Sequence, residues 1–110
     1  MPAPRPLLVL THCPDTETAE AIAHALVEAR LAACVNLLPP LRSVYRWQGA
    51  VETASEIGLL IKSTVQTYPA LEAAIRARHP YEVPEIIALD ITHGLPAYLD
   101  WLAQETLTPS

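Results

Sequence analysis

The order of patterned segments predicts an α+β fold, β-α-β-β-α-β closed by one more helix, and three observations carry it. Residues 34–62 read as two long strands joined at a turn near Gln48-Gly49. Short β-type runs stand at 7–11 and 85–92. Two segments with helical spacing separate those runs from the hairpin, and periodicity is the main sequence signal for each element type.

The hairpin comes first because the rest must be built around it. In its first arm Leu41, Ser43, Tyr45 and Trp47 share one face, and Arg42, Val44 and Arg46 the other. Gly49 permits the reversal. Pro39-Pro40 cannot donate ladder hydrogen bonds and marks a kink, a bulge or an edge. Each arm holds about fourteen residues, roughly 45 Å of strand at ~3.3 Å per residue. That overshoots the other strands, which are about half as long. Backbone groups left without a partner are most simply paired by a neighbouring chain, so an oligomer is expected; a shorter hairpin with a solvated loop is the plainer alternative.

The remaining elements follow in order. Residues 7–11 form a short buried strand after a proline-rich arm. Asp15 or Thr16 caps the first helix. Ala19, Ile22, Ala23, Leu26 and Val27 form its inner face, with His24 solvated. Thr64 or Thr67 opens the second helix, where Pro69 is tolerated only in the first turn. Leu71, Ala74, Ile75 and Arg78 form its inner stripe, and His79-Pro80 stops it. The strand over 85–92 breaks at Gly94. Pro96 starts the last helix, which carries Tyr98, Leu99, Trp101 and Leu102. This is the ferredoxin-like sandwich with a long central hairpin and an extra C-terminal helix. Two right-handed crossovers are expected to set the first strand beside the third, in parallel, with the fourth antiparallel on the first strand's other side.

With 110 residues the chain suits one domain over 1–110, residues 1–6 and 106–110 being loose tails. Hydrophobic content of 51% against 17% charged is that of a globular chain, and without Phe the core must be aliphatic. A net charge of −5 with no Lys/Arg run argues against nucleic acid and anionic membrane, and is compatible with cation binding. No apolar run reaches membrane-span or signal length. Cys13 and Cys34 read as free thiols of a reducing compartment, so a cytoplasmic protein is expected. Cys34, inside an apolar run, reads as a small core residue.

One end of the sheet collects residues of metal-ligand type. The stretch His79-Pro80-Tyr81-Glu82-Val83-Pro84-Glu85 leads into the last strand, and Thr11-His12-Cys13 ends the first. An antiparallel pairing of these strands brings His79, Glu82 and Glu85 toward His12 and Cys13. Imidazole, thiol and carboxylate together suit copper or zinc. His79 equally suits a helix C-cap, Glu82 a solvated residue and Glu85 an arginine pair. His93 stands at the other end of its strand. No Ser-His-Asp order, nucleophile elbow, Gly-rich phosphate loop or H-E-x-x-H occurs, so an enzyme is not expected. Tyr45 and Trp47 suit packing or a subunit interface.

Four ordered blocks resemble the CutA divalent-cation tolerance family: Ala32-Ala33-Cys34-Val35-Asn36-Leu37-Leu38-Pro39, Ser43-Val44-Tyr45-Arg46-Trp47-Gln48-Gly49, the run from His79 to Leu89, and Tyr98-Leu99-Asp100-Trp101. The match holds register from about Leu7 to about Thr106. The resemblance implies a ferredoxin-like subunit and a homotrimer closed by the long hairpins. It also implies a cytoplasmic role tied to copper and other divalent cations. Of the family's metal residues, the His of H-P-Y is His79 and the acid opening the last core strand is Glu85. Some members carry a Cys where this chain has Thr11; Cys13 lies two residues further on the same strand face. The family's usual Pro-Gly is Pro39-Pro40 here. A second reading follows from likeness of architecture to the PII regulators: a signalling trimer binding a small anionic metabolite in a cleft lined by Arg42, Arg46 and Trp47. A scaffold without a ligand is a third.

Overall fold

Alternation decides the first strand. In β1 (Pro6–Cys13) Leu7, Val9, Thr11 and Cys13 are buried, while Pro6, Leu8, Leu10 and His12 are half-buried. Successive side chains in a strand point to opposite faces, so one set enters the core and His12 is delivered to the other face. The structure, a computed structural model, describes residues 3–106. After β1 come α1 (Thr16–Glu28), β2 (Cys34–Leu37), β3 (Leu41–Trp47), β4 (Ala50–Thr64), α2 (Tyr68–Arg78), β5 (Ile86–Asp90) and α3 (Pro96–Glu105). The fold is the ferredoxin-like sandwich that the order of elements predicts.

The sheet runs β2-β4-β1-β5, with β3 paired to the far end of β4. One expectation needs correction. The first strand does lie beside the third long strand, β4, but antiparallel, with Pro6 opposite Thr64 and Cys13 opposite Ile57. The crossover through α1 makes β2 parallel to β1, and the hairpin then reverses the chain before β4 inserts between them. Every neighbouring pair is therefore antiparallel, including β1 with β5.

The prolines break the first arm as expected. Leu37 faces Leu59 but Leu41 faces Glu56, so three residues of the first arm, 38–40, oppose two of β4. That is a bulge of one extra residue, which bends the ribbon relative to the sheet. Leu38 still donates its amide to Gly58 O at 2.9 Å. A Cβ on Gly58 would meet side-chain carbons of Leu38 at 3.1 Å and of His12 and Leu41 at 3.3 Å, so the absent side chain lets these layers close. At the ribbon tip Gln48 and Gly49 have φ of 50° and 82°, the double left-handed geometry of a tight two-residue hairpin.

Only Ile57–Thr64 of β4 is paired with β1. The stretch 50–56 pairs with β3 alone and projects past the sheet. The projecting ribbon makes the subunit long, 47 × 26 × 24 Å. Its Val44 and Val51 are 70% and 65% exposed. Its two outer backbone edges have no partner strand among the described residues.

The core is aliphatic. Val9, Ile22, Leu26, Leu59, Ile61, Leu71 and Ile75 are fully buried where α1 and α2 cover the sheet. Asp15 caps α1, its carboxylate accepting from Thr18 N at 2.7 Å. Thr67 caps α2 without a side-chain bond of its own to the helix, and His79 closes that helix. Helix α3 lies against β1 and β4 and buries Leu102. Of the tails expected to be loose, 1–2 and 107–110 lie outside the described residues. Thr106 is buried and its hydroxyl donates to Leu102 O at 2.8 Å. Arg5 is tied by Val65 N, which donates to Arg5 O at 2.8 Å, and by Gln66 Oε1, which accepts from Arg5 N.

Candidate metal centre

The bend at the bulge leaves a groove between the base of the ribbon and the loop 81–85. Its volume is about 670 Å³. Ser43, Val44, Tyr45, Trp47 and Glu56 form the ribbon wall; Tyr81, Glu82, Val83, Pro84 and Glu85 form the loop wall; His12 lies between them.

The topology brings the predicted segments together, since Thr11 pairs with Ile86. The side chains then sort by role. His12 Nδ1 lies 3.4 Å from Glu85 Oε1, and both groups reach solvent. Glu82 lines the same groove. His79 is different. It is 7% exposed, its Nε2 donates to His12 O at 2.6 Å, and its Nδ1 accepts from Tyr81 N at 3.2 Å. A carbonyl can only accept, so the proton sits on Nε2 and the Nδ1 lone pair is spent on the amide. His79 therefore ties the end of β1 to the loop with both nitrogens engaged. Its ring also packs on Tyr81, centroids 4.7 Å apart.

Cys13 does not reach the groove. It is fully buried opposite Ile57, on the sheet face away from His12. Burial first, then the charges of Asp15 and Glu56, push its thiol up to about 11. Among the described residues no three His, Cys, Asp or Glu side chains gather closely enough to enclose an ion. On the ribbon, Tyr45 and Trp47 line the groove, whereas Arg42 and Arg46 do not.

Two groove residues were not singled out in the sequence. Glu56 is only 8% exposed, and Tyr81 Oη donates to its Oε2 at 2.9 Å. The phenol is pushed up to about 12, by burial first and then by Glu56, so it stays a donor. The available signal was position. Glu56 is the last polar residue before the apolar run 57–61, and so stands where the ribbon meets the sheet.

Residues 7–105 match the model of the CutA1 divalent ion tolerance protein family. The chain belongs to this family. A divalent-cation tolerance protein CutA from Thermus thermophilus is 52% identical over 99 residues, 90% of this chain and 96% of that one. The solved CutA1 structure from that organism superposes with a TM-score of 0.90 at 51% identity, covering 92% of this chain and 98% of that one. Mouse protein CutA is 49% identical over 86% of this chain, which spans about half (53%) of the mouse protein's length. The family supports a role in divalent-cation tolerance. Relatives are assigned to different compartments: an Arabidopsis thaliana one, 41% identical, is called chloroplastic and an Archaeoglobus fulgidus one, 34% identical, periplasmic. No helix among the described residues is long and apolar enough to cross a membrane.

Proposed function

We propose that this CutA-type subunit serves cation tolerance as a homotrimer that binds a divalent ion, copper foremost, in the groove between ribbon and loop. The observation that carries the reading is the approach of His12 to Glu85 at 3.4 Å across two chain segments, both side chains reaching solvent. An imidazole with carboxylate oxygens suits copper or zinc better than calcium or magnesium. His12 and Glu85 would hold the ion, and Glu82 lines the same groove without closing a three-residue set around them. His79 acts as a positioning residue: its bonds to His12 O and Tyr81 N fix the two segments that carry the ligands. Cys13 stays a core residue. Remaining coordination positions fall to water or to a neighbouring subunit.

The ribbon supports assembly of copies: its outer edges have no partner strand among the described residues, and exposed Val44 and Val51 suit cover by neighbours. Tyr45 and Trp47 then stand at the rim of a cleft close to the neighbouring subunit. An anionic metabolite fits this groove poorly, because Glu56, Glu82 and Glu85 line it and Arg42 and Arg46 do not. Two unpaired cysteines fit the cytoplasm. The test is calorimetric titration of Cu²⁺ into wild type and a His12→Ala, Glu85→Ala double variant. A loss of at least tenfold in affinity is expected; equal binding by both would remove the site.

A further inference from the structure

We propose that the same groove also takes an organic cation, an aliphatic polyamine, with Glu56 as its anionic anchor and Tyr45, Tyr81 and Trp47 as its aromatic walls. The starting point is Glu56. The residue is 8% exposed, and its only hydrogen-bond partner among the described residues is the neutral hydroxyl of Tyr81. The two ion pairs among those residues, Arg5–Asp90 and His12–Glu85, leave it without a cation. A buried charge without an opposite one is costly, and a ligand that supplies the opposite charge recovers that cost.

The surroundings say which cation. Tyr45, Tyr81 and Trp47 are large rings left 37–44% exposed around one groove. Tyr45 stands on the ribbon wall and Tyr81 on the loop wall of the same groove. Ring faces attract an ammonium group, more strongly where water is excluded. Val83 and Pro84 add apolar wall, which offers a small hydrated metal ion nothing and offers a methylene chain a surface. Glu82 places a further carboxylate on the loop side, matching a second amine on the same chain. A primary ammonium can also donate to the Glu56 oxygen that Tyr81 leaves free, which a quaternary ammonium cannot. The volume of about 670 Å³ is ample for a linear amine. None of this depends on which ion His12 and Glu85 hold.

The experiment is calorimetric titration of spermidine into the full-length protein at 150 mM salt, with choline and Mg²⁺ as comparators. Glu56→Gln removes the charge while keeping an acceptor for Tyr81. Trp47→Ala sits on the exposed ribbon, away from the core. Saturable spermidine binding, at least tenfold tighter than choline and at least tenfold weaker in each variant, is the expected result. No saturable heat, undiminished binding in either variant, or equal displacement by Mg²⁺ would each overturn the proposal. Cu²⁺ binding retained in Glu56→Gln would show that the loss belongs to the amine site and not to the metal ligands.

Discussion

Replacing His79 by Leu is the sharpest test of how the groove is held. The substitution keeps a side chain of similar bulk in a position that is 7% exposed, and removes two hydrogen bonds. The backbone cap of α2, His79 N to Ile75 O at 2.9 Å, stays. His12 O and Tyr81 N would be left without these partners. A buried polar group that loses its partner costs about 1–3 kcal/mol, so two should cost on the order of 2–6 kcal/mol together, less whatever water recovers. The assay is guanidinium unfolding followed by circular dichroism. Protomer concentration must be held fixed, because the stability of an oligomer depends on it. In the same variant Cu²⁺ affinity should fall several-fold, since β1 and the loop are no longer tied. Stability within about 0.5 kcal/mol of wild type would refute the reasoning and reduce His79 to a space-filling residue.

Three further outcomes follow from single groups. Thr11→Val should stabilise the protein by about 1 kcal/mol, because Thr11 Oγ1 is buried with no hydrogen-bond partner among the described residues, and removing an unsatisfied hydroxyl relieves its desolvation; the same unfolding assay reads it. Asp15→Ala should destabilise at neutral pH, and the gap to wild type should close in acid. The Thr18 amide holds the Asp15 carboxyl below its ordinary value; a depressed carboxylate adds stability above its unfolded pKa of roughly 3.9, lost as pH falls through the folded value. Cys13 should resist iodoacetamide at pH 8 in the native protein and react fully once unfolded, since burial keeps its thiol up to about 11; peptide mass mapping reads which cysteine is modified.

Local chemistry was legible in the sequence wherever one residue type decides the outcome. Pro39-Pro40 announced the break between β2 and β3, Asp15 the cap of α1, and Pro96 the start of α3. The convergence of the His79–Glu85 stretch with the end of β1 was also legible, because it follows from strand order alone. Individual side-chain roles were not. Whether His79 offers a lone pair depends on the carbonyl of His12, 67 residues away, and no local pattern encodes that contact. Strand alternation does place Cys13 opposite to His12, but choosing which of them faces the groove requires knowing which sheet face the helices cover. The contact between Glu56 and Tyr81 joins residues 25 apart, and no local pattern encodes it. The antiparallel pairing of β1 with β4 follows only when the crossover through α1 and the hairpin's reversal are combined, and no single segment displays it.

Sedimentation equilibrium at micromolar protomer concentration bears most directly on the ribbon. An extended ribbon with two unpaired edges is predicted to assemble three copies, giving a single species of three times the 12.0 kDa chain mass. A lone 12.0 kDa species would show that the ribbon is complete by itself.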